Sequence, residues 1–363
     1  MTNPFAALEL RSLRIPNRLW MSPMCTYSAA PEGKLVGAPT DFHLAHYAAR
    51  AAGGAGLVMV EATGVSPVGR ISAWDLGLWN DDQAQVFGRL TSAITEAGAV
   101  PAIQLAHAGR KASVDKPWLG GEQLTEDRHG WPTQGPSTVA FPGYSAPSEM
   151  SKEDIASVVQ DFASAAKRAL TAGFKVVEIH AAHGYLLHSF LSPLSNRRTD
   201  SYGGDLAGRS RIVIEVIDAV RSVWPPSLPV FLRVSTTDWI DENPDLQDAS
   251  WTIRDTIELS RAATKHGVDL IDASSGGLVP TPIPRDRDYQ TRYAQQLRSN
   301  VDAPVAAVGR IDDPSWAAEL LEHGHADALF IGRALLRDAS WPNNAASALG
   351  SDARYLEQYS YAV

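Results

Sequence analysis

The sequence predicts an α/β fold, a single (β/α)₈ TIM barrel over residues 1–363. Three observations lead there. Eight short apolar runs recur along the chain, a helix-period stretch follows each, and no composition break divides the chain. A doubly wound open sheet also alternates strands with helices. No G-x-G-x-x-G follows the first run, which argues against that fold.

The elements follow in order. "LELRSLRIPNR" reads as a hairpin that closes the barrel floor before the first strand. The strand runs are "RLWMSPM" (18–24), "GLVMVEA" (56–62), "VPAIQLA" (100–106) and "KVVEIHA" (175–181). "PVFLRVS" (229–235), "DLIDASS" (269–275), "PVAAVG" (304–309) and "ALFIGR" (328–333) complete the set. Most are rich in Val, Ile or Leu, as strands buried on both faces require. Between them, "DFHLAHYAARAAGG" has Thr40 as N-cap. "SKEDIASVVQDFASAAKRALTAG" opens on a capping box of Ser151 and Asp154 and stops at Gly173. "DDQAQVFGRLTSAITEAG", "GRSRIVIEVIDAVRSVW", "DASWTIRDTIELSRAATKHG" and "PSWAAELLEHGH" supply further helices. Residues 112–150 have no period and many Gly, Pro and Trp. That stretch is too long for an ordinary connection, and we read it as a lid-like loop after strand 3, over the barrel mouth.

Composition narrows the function. Lys plus Arg number 32 and Asp plus Glu 41, a net charge of −9. That balance argues against a nucleic-acid or anionic-membrane partner, while leaving room for a local phosphate pocket. Cys25 is the only cysteine, so no intrachain disulfide or cysteine-rich metal site can form. The start "MTNPFAALEL" lacks a signal-peptide pattern, and no run is long enough to span a bilayer. The expectation is a cytoplasmic protein.

A barrel of this kind works at the carboxyl ends of its strands. Polar residues gather there: Cys25 and Tyr27 after strand 1, Gln104 and His107 after strand 3, then His180, His183 and Tyr185 after strand 4. Arg233 follows on strand 5, and Ser274 and Ser275 on strand 6. Gly309–Arg310 and Gly332–Arg333 end strands 7 and 8, where barrels commonly hold a phosphate. Glycine lets backbone N–H groups approach an anion, and arginine adds a bidentate fork. Arg233 requires a buried partner. It is either an ion pair inside the barrel, with Glu178, or an electrostatic partner for a cofactor that becomes anionic. Gln104 can present both a donor and an acceptor to a heterocycle. In "HAAHGY" (180–185) the histidines are a core pair that satisfies itself, two ligands of a metal, or paired donors to one substrate oxygen. A zinc site needs about three protein ligands, and no third is evident. Tyr185 would be protonated at neutral pH and able to donate.

These residues belong to longer stretches: "SPMCTYS", "GGAGLVMVEATGVSPVGRIS", "IQLAHAGRKAS", "EIHAAHGYLLHSFLSPLSNRRTDSYGG", "LRVSTTDW", "LIDASSGG" and "FIGRALLRD". On them the chain resembles the Old Yellow Enzyme flavoproteins, in particular the thermophilic-like and xenobiotic-reductase branch, almost end to end. The resemblance implies an FMN-containing barrel, an ene-reductase or NADPH dehydrogenase, that uses NADPH or NADH to reduce activated C=C bonds. It implies that Ser22, Pro23, Met24, Cys25 and Ala62 line the flavin. Gln104 would address the pyrimidine edge and Arg233 the N1/C2 side, with Gly309, Arg310, Gly332 and Arg333 on the phosphate. His180 and His183 would bind the substrate carbonyl or nitro oxygen, with Tyr27 in the same pocket. Hydride would pass from flavin N5 to Cβ and a proton from Tyr185 to Cα. Cys25 would tune the flavin rather than attack substrate.

The resemblance also implies small enone, maleimide or nitro substrates and a homodimer or homotetramer. Two departures stand out. In part of the branch the C-terminus carries an arginine or tryptophan that enters a neighbour's site; here the tail is "RYLEQYSYAV", with Tyr359 and Tyr361 in that region, so a tyrosine would cross in place of an arginine. Thr26 beside Cys25 is expected to alter the pocket's shape. The rival readings are a tRNA-modifying FMN barrel, a larger iron–sulfur dienoyl reductase, a metal-dependent hydrolase or aldolase barrel built on the histidine pair, and a non-catalytic flavin-binding protein. The acidic balance opposes the first, and the single cysteine opposes the second.

Overall fold

The computed structural model describes residues 3–243, 246 and 249–362. Eight parallel strands close into a barrel. They are β1 (Leu19–Met21), β2 (Leu57–Gly64), β3 (Val100–Ala106) and β4 (Val176–Ala181). The circuit continues through β5 (Val230–Ser235), β6 (Leu270–Ser274), β7 (Val305–Val308) and β8 (Ala328–Ile331). β8 pairs with β1 to close it. Each strand overlaps the run that predicted it, and β2 continues past the end of its run, 56–62, to Gly64. The first is shorter than its run, because Ser22, Pro23 and Met24 leave the ladder toward the barrel mouth.

Among the described residues ten helices connect and flank the strands: α1 (Asp41–Ala52), α2 (Asp81–Glu96), α3 (Lys152–Thr171), α4 (Leu186–Leu191) and α5 (Leu206–Val223) come first. α6 (Ile253–Lys265), α7 (Thr291–Arg298), α8 (Pro314–Glu322), α9 (Arg333–Arg337) and α10 (Trp341–Ala348) follow. Thr40 is the N-cap of α1. The Ser151–Asp154 box starts α3, with the Asp154 N–H donating to Ser151 Oγ at 3.0 Å.

Period-two alternation builds two cores. Outward residues such as Val58, Ile103, Val177 and Leu232 pack against the helices. Inward residues fill the lower barrel, where Trp20 stacks on Phe231 at 5.8 Å and meets Phe330 edge-on at 5.4 Å. The hairpin Leu8–Leu10/Leu13–Ile15 supplies Leu10 and Ile15 to this inner cluster and plugs the floor. The packed floor leaves polar side chains at the upper end of the strands. A bulge in β2 between Val60 and Thr63 breaks the alternation. Beyond it Glu61 turns outward to Tyr47 of α1, and Ala62 packs at the mouth beside Cys25 and Tyr185.

Residues 112–150 carry more local order than their composition suggested. Gln134–Gly135 pairs in parallel with Ser148–Glu149, and short 3₁₀ turns flank them. Arginines satisfy much of the remaining backbone. Arg110 Nη1 donates to the Val139 and Ala140 carbonyls, and Arg198 Nη1 to those of Pro136 and Met150. Trp118 of this segment meets Tyr27 edge-on at 5.8 Å.

Trp20 is fully buried at the centre of the inner layer. Trp20→Ala should therefore cost about 3–5 kcal/mol of stability. The measurement is a urea unfolding midpoint; an unchanged midpoint would contradict the inner-core assignment.

Candidate active site

β4 ends at Ala181, and the chain turns sharply over the barrel mouth. His183 and Gly184 both take left-handed backbone, with φ of 59° and 75°. A Cβ on Gly184 would stand 2.3 Å from the Gly277 carbonyl oxygen, so no other residue fits. The turn after β4 thus lies directly against the loop after β6. Lys111 Nζ fastens them together, donating to the carbonyls of His183 and Gly277 at 2.8 Å each. The His183 N–H donates to Ser235 Oγ at 2.9 Å, and Ser235 Oγ donates to the Gly276 carbonyl at 2.8 Å. From below, the Gly184 N–H donates to His188 Nδ1 at 2.9 Å. His188 Nδ1 is thus the accepting nitrogen, and its Nε2 lies 3.1 Å from Asp238 Oδ1.

This scaffold holds three rings in one group. His180 meets His183 edge-on at 5.2 Å and Tyr185 edge-on at 5.2 Å. His183 Nε2 and Ser274 Oγ are 2.6 Å apart. Burial, and next the charge of Arg233, push both histidines well below their ordinary pKa. They are neutral imidazoles at neutral pH, each with one N–H to give. Burial, followed by the neighbouring Cys25, Tyr27 and Asp75, pushes the Tyr185 phenol well up, so it keeps its proton. Burial likewise raises Cys25, assisted by Asp75 and Glu61, and leaves a neutral thiol rather than a thiolate nucleophile.

Below and beside the rings lies a cavity of about 540 Å³. Met24, His183, Arg233, Ser274, Gly309, Arg310, Gly332 and Arg333 line it. Arg233 Nη1 donates to Ser22 Oγ at 3.3 Å and faces Asp272 Oδ2 at 3.3 Å. This corrects the expected ion partner: β6 sets Asp272 directly opposite Arg233 in register, while Glu178 accepts from Gln104 Nε2 at 2.8 Å. Arg310 is ordered by the Asp286 carbonyl at 2.6 Å and lies over the Tyr289 ring at 4.4 Å. A Cβ on Gly332 would meet nothing closer than Met24 Sδ at 3.6 Å, so this backbone faces open cavity.

Some sequence candidates sit elsewhere. Ser22, Pro23, Cys25, Tyr27, Ala62, Gln104, His180 and Tyr185 stand outside the lining of this cavity, and Thr26 with Cys25 borders a separate hollow beside Trp118. The Thr26 N–H and hydroxyl bond the buried Glu61 carboxyl at 2.8 and 2.9 Å, tethering the Cys25–Tyr27 segment. His107 is turned to its own loop, where Nδ1 accepts the Gly109 N–H at 3.1 Å. Lys111, Asp272, Glu61 and Asp75 were missed. Asp272 had a legible signal, since it stands two residues before Ser274 and must share its inward face. Among the described residues no three His, Cys, Asp or Glu side chains converge as metal ligands.

Residues 4–352 match the family model described as the NADH:flavin oxidoreductase / NADH oxidase family. The chain belongs to this family. It is 44% identical over 357 residues to an NADPH dehydrogenase of Bacillus subtilis (strain 168), covering 98% of this chain and 97% of that one. It is 44% identical over 363 residues to an NADPH dehydrogenase of Listeria innocua, covering 100% and 99%. Among solved structures, morphinone reductase in complex with tetrahydroNAD superposes with a TM-score of 0.76 at 27% identity, over 98% of this chain and 93% of that one. An old yellow enzyme homologue from Zymomonas mobilis, at 24% identity and TM-score 0.77, covers 97% of this chain and 94% of that one and shares the fold. The flavin oxidoreductase family and the Old Yellow Enzyme resemblance therefore agree on an enzyme.

The cavity fits a flavin mononucleotide on its own terms. Arg233 is buried, and its Nε has no partner among the described residues. Such a donor suits the polar edge of a flavin ring. Toward solvent, the open backbone at Gly332 and the guanidinium groups of Arg310 and Arg333 suit a phosphate.

Asp75 lies buried in this neighbourhood, its Oδ2 accepting the Ser72 N–H at 2.6 Å and its Oδ1 without a partner among the described residues. Burial lifts its carboxyl from 3.8 to about 7. Between those values the folded state holds a proton that the unfolded chain lacks, so stability falls as pH rises through that window. Asp75→Asn should flatten this fall. Calorimetric Tm values from pH 5 to 8 check it, and parallel profiles for the two proteins would contradict it.

Proposed function

We propose that this protein is an FMN-dependent NADPH dehydrogenase that reduces the C=C bond of α,β-unsaturated carbonyl or nitro compounds. The observation that carries the reading is the group of His180, His183 and Tyr185, two neutral N–H donors beside a protonated phenol at the cavity mouth. Ser22, Pro23, Met24, Cys25, Ala62 and Gln104 would line the ring system, with Arg233 at its polar edge. Gly309, Arg310, Gly332 and Arg333 would hold the phosphate. Bound FMN supplies the hydride, taken from NADPH or NADH and given to the substrate.

The chain's own residues supply the rest. His180 and His183 donate hydrogen bonds to the substrate's carbonyl or nitro oxygen and draw electron density onto it. That leaves Cβ electrophilic and stabilises negative charge developing on the oxygen. Because both imidazoles are neutral, they polarise the substrate without surrendering a proton to it. Tyr185 gives its phenolic proton to Cα. Tyr27 would stand in the same substrate pocket, its ring met edge-on by Trp118. Cys25 acts as a neutral, polarisable neighbour of the ring system.

We also read the protein as a cytoplasmic homodimer or homotetramer. Exposed Phe42, Leu336 and Tyr361 are apolar surface that association would cover, and the lone Cys25 suits a reducing compartment. Light scattering that returns the mass of one chain would contradict the oligomer.

The purified protein is expected to be yellow, and its flavin absorbance to bleach anaerobically on adding NADPH. A colourless preparation that takes up no FMN would contradict the reading. Tyr185→Phe should slow the enone half-reaction about 10²-fold or more while sparing reduction by NADPH. Stopped-flow measurement of both halves decides this, and equal losses would remove Tyr185 as the proton donor. His180→Ala should weaken binding of a phenol that mimics the enolate by about tenfold or more, roughly the 1.4 kcal/mol of one net hydrogen bond. A spectral titration with unchanged affinity would place the oxygen elsewhere.

A further inference from the structure

Beneath the cavity lies chemistry that the proposed reaction does not use. Glu178 on β4 and Asp272 on β6 are fully buried, on either side of Arg233 on β5. Gln104 Nε2 donates to Glu178 Oε1 at 2.8 Å, and Arg233 Nη1 faces Asp272 Oδ2 at 3.3 Å. The two carboxyl groups are also within hydrogen-bonding reach of each other. Yet Glu178 Oε2 and both carboxylate oxygens of Asp272 have no hydrogen-bond partner among the described residues, Arg233 lying near Oδ2 as an ion pair only. An ionised carboxylate only accepts. Two of them in contact in a dry interior, served by one guanidinium, leave a like-charge pair unrelieved. A single proton between them removes the repulsion and supplies the missing donor.

We propose that Glu178 and Asp272 share one proton and act as the counter-charge of Arg233, a positioning pair that sets how much positive charge the cavity presents to the flavin. The effect on the flavin rests on the FMN reading above; the shared proton does not. The proton belongs mainly to Glu178. Burial raises both carboxyls, and the negative charge of Asp272 pushes Glu178 further, well above the usual carboxylate range; Arg233, 3.3 Å from Asp272 Oδ2, draws Asp272 back toward ionisation. Asp272 keeps the negative charge and partly neutralises Arg233. Removing that charge should strengthen the field of Arg233 at the cavity, favouring the reduced, more negative cofactor.

The test uses the holoenzyme and has two readouts besides activity. The infrared difference spectrum of wild type minus Glu178→Gln at neutral pH should show a protonated carboxyl stretch that shifts in D₂O, the bands of the raised Asp75 and Glu61 carboxyls cancelling. The midpoint potential of bound FMN should rise in Asp272→Asn by at least tenfold in the oxidised-to-reduced equilibrium, about 30 mV for a two-electron couple. In Glu178→Gln it should move by less than half of that, because the charge on Asp272 remains. The infrared difference between wild type and Glu178→Gln keeps the test decisive if Asp272→Asn does not fold. No protonated carboxyl band in that difference spectrum, an unchanged or lowered potential in Asp272→Asn, or an equal shift in both variants overturns the proposal. A protein that binds no FMN would instead defeat the cofactor reading, while the carboxyl band would still report on the shared proton.

Discussion

The buried charge of Arg233 is the constraint around which this site is arranged. A guanidinium taken out of water at the upper end of a closed barrel loses several kcal/mol of solvation that its surroundings must offset. The register of β5 against β6 puts Asp272 opposite it, and Ser22 at the end of β1 accepts from it. What remains of its charge is directed upward. There it helps keep His180 and His183 neutral, and so available as hydrogen-bond donors. The same cation lines the cavity floor and leaves Nε for a ligand.

The turn after β4 serves a different need, the fixing of ring positions. A non-glycine residue in left-handed backbone costs on the order of 1–3 kcal/mol, and His183 is one. Its N–H and carbonyl are both bonded, to Ser235 and Lys111, and the adjoining Gly184 is held by His188. Lys111 is nearly buried, and burial followed by the charge of Arg110 lowers it to about 8. It lies 5.2 Å over the Tyr185 ring, so the ammonium that fixes the turn also touches the proposed acid. Preorganisation of this kind is what oxygen polarisation requires.

The barrel was legible because parallel strands buried on both faces read as short apolar runs, and all eight did so. The strand ends were legible for the same reason: once a run is placed, its last polar residues point to the mouth. His180, His183, Tyr185, Arg233 and the two Gly–Arg pairs emerged this way. What stayed hidden depended on contacts across sequence. The bulge at Val60/Thr63 leaves no trace in "LVMVEATG", yet it decides that Glu61 faces α1 and Ala62 faces the mouth. The partner of Arg233 follows from strand register, so Glu178 and Asp272 could not be ranked from spacing alone. Lys111 reads as a surface lysine until the loops after β4 and β6 are brought together over it.

The account's central claim is that His180 and His183 together define the oxygen site beside Tyr185. A crystal structure of the FMN-loaded protein with a para-substituted phenol tests it most directly. The phenol oxygen should lie within hydrogen-bonding distance, about 2.7–3.2 Å, of a ring nitrogen of each histidine, with the ligand ring stacked over the flavin. A phenol bound with its oxygen toward Arg310 or solvent, and neither histidine in contact, would contradict the claim.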